Sequence, residues 1–348
     1  MKFIRYILYI ILIPIVLVIL FLLVATLADY SPEEREVIFE SSSPDTIQTN
    51  EKVDILTWNI GYCGLGKEMD FFYDGGTKVR ATKENTLLNL DAITKFLVNN
   101  DTIDMLLLQE VDVHSKRTYY LNEVTEISRA LKYPNYFFAN NYKVFFLPIP
   151  LSEPLGKIMS GLLSLSKFEP YLVERYDFPG NYSWPKKLLM LDRCFMVERY
   201  ILSNQKKLLV INTHNSAFDG GLLKKHEMAY LKEFIEKEYA SDNYILAGGD
   251  WNQNPPGFNS SSFNSESGYK NFVLASIPSD FIAWNWTFDN THPTNRALTT
   301  PYNPESTATT ILDFFLCSPN VLAKQVKTVN LNFENSDHQP VIITFVLE

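Results

Sequence analysis

Residues 207–216 read KLLVINTHNS, and residues 244–253 read YILAGGDWNQ. Each is a short apolar run with polar residues gathered at its C-terminal end. Such runs read as strands buried on both faces, which places His214, Asp250 and Asn252 at the rim of a sheet. Working outward, the same pattern recurs in VDILTWNIG (53–61), ending near Asn59, and in DMLLLQEVD (104–112), carrying Glu110. Downstream, ILDFFLCS (311–318) sets Asp313 among apolar residues, and NSDHQPVIITF (335–345) opens on Asp337 and His338. Carboxylates, amides and two histidines without cysteine suit a hard divalent cation and phosphate chemistry, not zinc in a thiolate cage.

Each position has a local rationale. Asn59 precedes the turn at Gly61 and can hydrogen-bond a metal-binding carboxylate or a phosphate. Glu110 follows a run too apolar to end in a casual charge. Gly248 and Gly249 permit a close backbone approach before Asp250, which can orient or deprotonate an attacking water. Asn252 shares that side and can hold a phosphate oxygen. A lone buried aspartate such as Asp313 is costly without a partner.

The order Asn, Glu, His, Asp-x-Asn, Asp, then Asp-His, spread from Asn59 to His338, resembles the endonuclease/exonuclease/phosphatase superfamily. That group includes deoxyribonuclease I, apurinic endonucleases, neutral sphingomyelinases and inositol polyphosphate 5-phosphatases. The resemblance implies an α/β fold, a four-layer sandwich of two packed mixed β-sheets flanked by helices. It implies Glu110 as the main magnesium ligand, with Asp337 and Asn59 near the metal and manganese as the alternative ion. It pairs Asp313 with His338, fixing the tautomer of the histidine. His214 would bind the phosphoryl group or protonate the leaving oxygen; apurinic endonucleases lack that histidine. Substrate contacts would come from Asn59, His214 and Asn252, and hydrolysis from direct attack of water on phosphorus. GLLSLSKFEP (161–170) looks like the superfamily's strand, turn and strand with an S-[KR] pair.

The 348 residues carry a formal charge of −9. A surface that grips nucleic acid is normally basic, so this balance disfavours a dedicated nuclease. Cys63, Cys194 and Cys317 are widely spaced and read as buried small hydrophobes. Residues 6–27, YILYIILIPIVLVILFLLVATL, hold no charge. As a helix they reach roughly 33 Å, enough for a hydrocarbon core of about 30 Å. Residues 1–28 are therefore expected to anchor the chain in a membrane; a cleaved signal peptide is the competitor, disfavoured because the run exceeds the usual apolar core of such signals. Lys2 and Arg5 before the span, against Asp29, Glu33 and Glu34 after it, place the N-terminus in the cytoplasm and the domain outside.

Residues 29–52 read as a polar tether, and 53–348 as one catalytic domain. Lys83–Asn99 has Leu87, Leu90, Ile93, Leu97 and Val98 at helical spacing for the core, and Leu222–Tyr239 repeats this with Leu223, Met228, Leu231, Phe234 and Ile235. The stretch 259–268, NSSSFNSESG, reads as a mobile surface loop. In VFFLPIPLSEPLG (144–156) three prolines argue against a sheet core; it is either a loop packed by its own aromatics or an apolar lip facing substrate or membrane. Asn181, Asn259 and Asn285 open glycosylation triplets. The favoured substrate is a phospholipid head group or another small phosphoester, cleaved by a monomer. A membrane-anchored nuclease of deoxyribonuclease I type is the alternative, and an inactive binding module the third reading.

Overall fold

The computed structural model describes residues 2–217, 222–259, 263, 277 and 284–347. The reading of 259–268 as a mobile loop falls, apart from Asn259 and Phe263, outside the described residues. Four α-helices are described: α1 (Lys2–Leu27), α2 (Lys83–Asn99), α3 (Glu123–Leu131) and α4 (Leu222–Ala240). The strands begin with β1 (Arg35–Glu40), β2 (Thr46–Ile47), β3 (Val53–Asn59), β4 (Met105–Asp112), β5 (Asn135–Leu147) and β6 (Gly156–Ser166). They continue with β7 (Leu172–Asp177), β8 (Cys194–Leu202), β9 (Lys207–His214), β10 (Tyr244–Asp250) and β11 (Asn285–Thr287). The last are β12 (Asn295–Arg296), β13 (Thr309–Thr310), β14 (Asp313–Cys317), β15 (Val321–Thr328) and β16 (Val341–Leu347).

One sheet runs β1-β7-β8-β9-β10-β14-β11, with β2 on β8, and the other runs β15-β16-β3-β4-β6-β5. Both are mixed: β9 pairs β10 and β3 pairs β4 in parallel, while their other neighbours are antiparallel. Strand side chains alternate between faces, and here both faces are apolar. Leu208 and Val210 meet Ile55 and Leu107 between the sheets, whereas Leu209 and Ile211 pack outward on Met228 and Leu231 of α4. On the far side Leu56, Trp58 and Leu106 pack on Leu90, Ile93 and Leu97 of α2. The result is the expected four-layer α/β sandwich. Leu87 and Val98, expected in the core, are exposed, because the buried stripe of α2 is narrower than its run of apolar residues.

The segment 29–52 is not a free tether. Its stretch REVIFE forms β1, antiparallel to β7, and Thr46–Ile47 adds β2 to β8. Ile38 and Phe39 pack on Phe137 and Val173, and Arg35 pairs with buried Glu174. These apolar residues find an open sheet edge, which the local sequence does not reveal. Only residues 28–34 then separate α1 from the sandwich.

A polar bridge crosses the interior beneath the rim. Gln109 Nε2 on β4 donates to Asn212 Oδ1 on β9 at 2.8 Å, and Asn212 Nδ2 donates to Leu108 O at 3.2 Å. It fixes the two sheets in register just before Glu110 and His214. Farther in, Tyr200 Oη donates to Glu198 at 2.6 Å, and burial pushes the Glu198 carboxyl up to about 7. A raised carboxyl stabilises the fold fully below the ordinary glutamate range, and that stability is lost as pH rises toward 7. Glu198→Gln is expected to remove this decline, gaining on the order of 2–3 kcal/mol at pH 8. Melting curves of both proteins from pH 4.5 to 8 check this; parallel curves contradict it.

Candidate active site

Sheet register assembles the site. Asp250, the last residue of β10, lies opposite His214 on β9 and opposite Asp313 on β14, so three distant residues share one rung. The close strand approach depends on Gly249: a Cβ there would lie 1.9 Å from the Thr213 carbonyl oxygen. In the other sheet Asn59 pairs with Gln109. Glu110 follows within a bulge, where the register of β4 against β6 shifts between Leu108 and Val111 and Glu110 adopts a left-handed φ of 54°. Bulges of this kind re-aim a side chain, and this one turns Glu110 toward the rim.

The distances join the two sheets. Asn59 Nδ2 donates to Asp250 Oδ2 at 2.9 Å and to Glu110 Oε1 at 3.2 Å, while its Oδ1 accepts from Gly61 N at 3.0 Å. Asn59 thereby orients both carboxylates, while its carbonyl oxygen accepts from the Gly61 amide. His214 Nε2 is 3.4 Å from Asp250 Oδ2 and 3.9 Å from Glu110 Oε1. His338 Nδ1 is 2.7 Å from Asp313 Oδ2, and its Nε2 is 3.7 Å from Asp250 Oδ2 and 4.0 Å from Asp337 Oδ2. The loop carrying Asp337 and His338 is clamped to β3, since Trp58 Nε1 donates to His338 O at 3.0 Å and Ser336 Oγ to Asn59 O at 2.9 Å. Asn252 also reaches the rim, with one amide N–H donated to Asn215 O at 2.9 Å.

Electrostatics separate the two histidines. Burial and the cations Arg193 and His338 hold His214 well below the usual histidine range. Burial opposes the charge of His338 too, but Asp313, Asp250 and Asp337 outweigh it and raise His338 well above that range. The surroundings thus disfavour charge on His214 and favour it on His338. Of the two roles the resemblance left open for His214, phosphoryl contact or leaving-group protonation, a ring held uncharged suits the first.

Glu110, His214, Asp250, Asn252, Asp337 and His338 line a cavity of about 360 Å³. The same cavity is lined by an apolar group, Leu147, Ile149, Leu155, Ile158, Leu189 and Met190.

The pattern of the Endonuclease/Exonuclease/phosphatase family matches residues 56–338. The chain belongs to this family. A family member from Beutenbergia cavernae DSM 12333 superposes with a TM-score of 0.58 at 14% identity, over 86% of this chain and 72% of that one. One from Bacteroides vulgatus gives 0.54 at 16%, over 86% and 100%. D. rerio TDP2, in complex with a single-strand DNA product, gives 0.51 at 16%, over 85% and 99%. At these identities the fold is what is shared. No curated protein matches the chain in sequence.

Family enzymes are divalent-metal-dependent hydrolases of phosphoester bonds, and the donors here fit a metal. Asp250, Asp313 and His338 bring potential ligand atoms within 4.8 Å of one another. Asp313 Oδ2 and His338 Nδ1 are already joined to each other, however. Glu110 and Asp337 are further carboxylates on the cavity lining that could hold a metal. Burial raises both, and Asp337 further raises Glu110 against the opposing Arg117. Nearby Asp74 is pushed up to about 7 by burial and by the same two carboxylates. Such crowded acids call for a hard cation.

Two site residues escaped the sequence reading. Arg193 lines the cavity; its charge is opposed by burial and supported by Glu227, Glu110 and Asp250, and its enclosed Nη1 lacks a hydrogen-bond partner among the described residues. Asn295 places its carboxamide 2.9 Å from His338 Nε2. The signal for Arg193 was a cation directly before the apolar run CFMV. Strand β8 is antiparallel to β9, so its beginning lies at the catalytic rim.

Proposed function

We propose that the protein is a magnesium-dependent phosphoesterase acting on a phospholipid head group or a related amphiphilic phosphoester. Supporting this is one cavity lined both by the acids and histidines of the rim and by a cluster of apolar side chains. Glu110 and Asp337 would hold the cation, with manganese as the alternative, and it would supply neutralisation of charge on phosphoryl and leaving oxygens. Asp250, fixed by Asn59, orients and deprotonates the attacking water. Neutral His214, with Asn252, contacts phosphoryl oxygens. Protonated His338, held by Asp313, gives its proton to the leaving oxygen.

Arg193 supplies the positive charge that phosphate requires. Arg193→Met is expected to lower kcat/KM about 10²-fold, as loss of a preorganised charged donor does, and to weaken inhibition by inorganic phosphate. Unchanged phosphate inhibition removes Arg193 from the site.

In this reading α1, apolar enough over Phe3–Leu27 to cross a membrane, anchors a monomer, with the N-terminus cytoplasmic and the catalytic domain outside. The deciding assay incubates the full chain and magnesium with choline phospholipid vesicles, plasmid DNA and inositol phosphates. Release from vesicles supports the reading. Cleavage of DNA alone overturns it in favour of an anchored nuclease, the reading suggested by the DNA-bound neighbour; inertness toward all three favours a binding module.

A further inference from the structure

Two loops that contribute apolar side chains to the cavity also touch the end of α1. The hairpin joining β5 to β6 supplies Leu147, Ile149 and Leu155 to the cavity, and the segment before β8 supplies Leu189 and Met190. In the same hairpin the Phe146 ring meets Phe21 of α1 edge-on at 6.3 Å. In the same segment Trp184 Nε1 donates to Thr26 Oγ1 at 3.1 Å, and Lys187 pairs with Asp29 at 3.3 Å. This corrects the view of 144–156 as a loop excluded from the sheet. Val144–Leu147 belongs to β5, Leu147 and Leu155 are buried, and the prolines are confined to the turn between the strands.

What the hairpin leaves outside is apolar. Leu151 is 88% exposed and Phe145 52%, and across α1 Trp184 is 55% exposed. Exposed apolar and aromatic side chains beside the end of a membrane span match the belt that sits at the bilayer interface. Lys186, which also lines the cavity, adds a cation of the kind that attracts lipid phosphates.

From this arrangement we infer that the hairpin tip 148–155 and Trp184 seat in the bilayer from which α1 emerges, so that the catalytic cavity opens onto the membrane surface. The inference rests on reading α1 as a span. The helix is then more than a leash: contacts at Thr26, Asp29 and Phe21 set the angle of the cavity mouth. A lipid reaches the rim by moving along the apolar wall, its head group leading, without leaving for water.

The test uses the full chain in phosphatidylcholine vesicles. Leu151→Cys, labelled with an environment-sensitive fluorophore, is compared with Glu51→Cys, an exposed position before β3 at the opposite rim. The native cysteines are buried, so labelling is confined to the introduced thiol. At Leu151 the emission shifts to the blue and is quenched by lipids carrying a quencher near the head group; at Glu51 neither occurs. A Leu151 label that behaves as in water overturns the inference, and equal quenching at both sites overturns it as well. A second arm measures turnover of Phe145→Ser with Leu151→Ser, at two exposed positions. A loss of about tenfold or more is expected on vesicle lipid, from unseating two apolar side chains, with no loss on a short soluble phosphodiester. Quenching at Leu151 without cleavage of any lipid leaves the seating intact and removes the phospholipid substrate.

Discussion

Glu110→Gln is expected to lower turnover about 10³-fold, the effect of losing several kcal/mol of electrostatic stabilisation by the cation. The fold should survive. The glutamine oxygen can still accept from Asn59 Nδ2, as Glu110 Oε1 does at 3.2 Å, and the side chain length suits the same bulge. The variant also removes one charge from a buried acidic cluster in which Asp337 already raises Glu110. In chelator, then, its melting temperature should equal or exceed that of the parent. Magnesium should stabilise the parent, because an ion that binds only the folded state raises its stability, and should do much less for the variant. Two readouts therefore separate a metal ligand from a merely structural acid. Full activity of the parent in excess chelator would falsify the metal-dependent mechanism.

The second large effect concerns Asp313 and His338. Joined at 2.7 Å and buried together, they act as one unit, and groups that act as a unit lose activity non-additively. Asp313→Ala and His338→Ala are each expected to reduce kcat by about 10³-fold, and the double variant by little more. A pH profile adds a distinct check. His338 is protonated to well above the usual range chiefly through Asp313, against the opposing effect of burial. With His338 as the proton donor, activity falls as pH rises through its raised pKa. Asp313→Asn removes that support and moves this falling limb to lower pH. Strict additivity, together with an unmoved limb, means the two residues work independently.

Much of the chain's chemistry was legible without coordinates. The apolar runs at 53–59, 105–108, 208–211 and 244–247 all became strands, and His214 and Asp250 stand at their ends as read. Burial on both faces follows from uninterrupted apolar sequence, so a sheet covered on each side was a local inference. The long apolar run near the N-terminus likewise declared a helix of spanning length. These features depend on periodicity and end chemistry within about ten residues, and the sequence displays them directly.

Other features depended on which strands became neighbours and in which direction. Arg193 matters because β8 runs antiparallel to β9 and so begins where β9 ends. Glu110 reaches the rim through a bulge against β6. Asn59 spans both sheets because its amide meets Asp250 and Glu110 at once. The supposed tether became an edge strand because β7 offered it a partner, and the proline-rich lip became a hairpin because β5 continued past the point where its sequence looked like a loop. By itself, the sequence determined which groups the protein owns, the strands that carry them and the apolar helix in front. Only the tertiary structure decided which groups meet, which atoms remain available once hydrogen bonds are assigned, and that the apolar wall adjoins the end of α1. The physical reason is that strand formation is specified locally, whereas pairing partners, direction and bulges are settled by the burial of surfaces far apart in the chain.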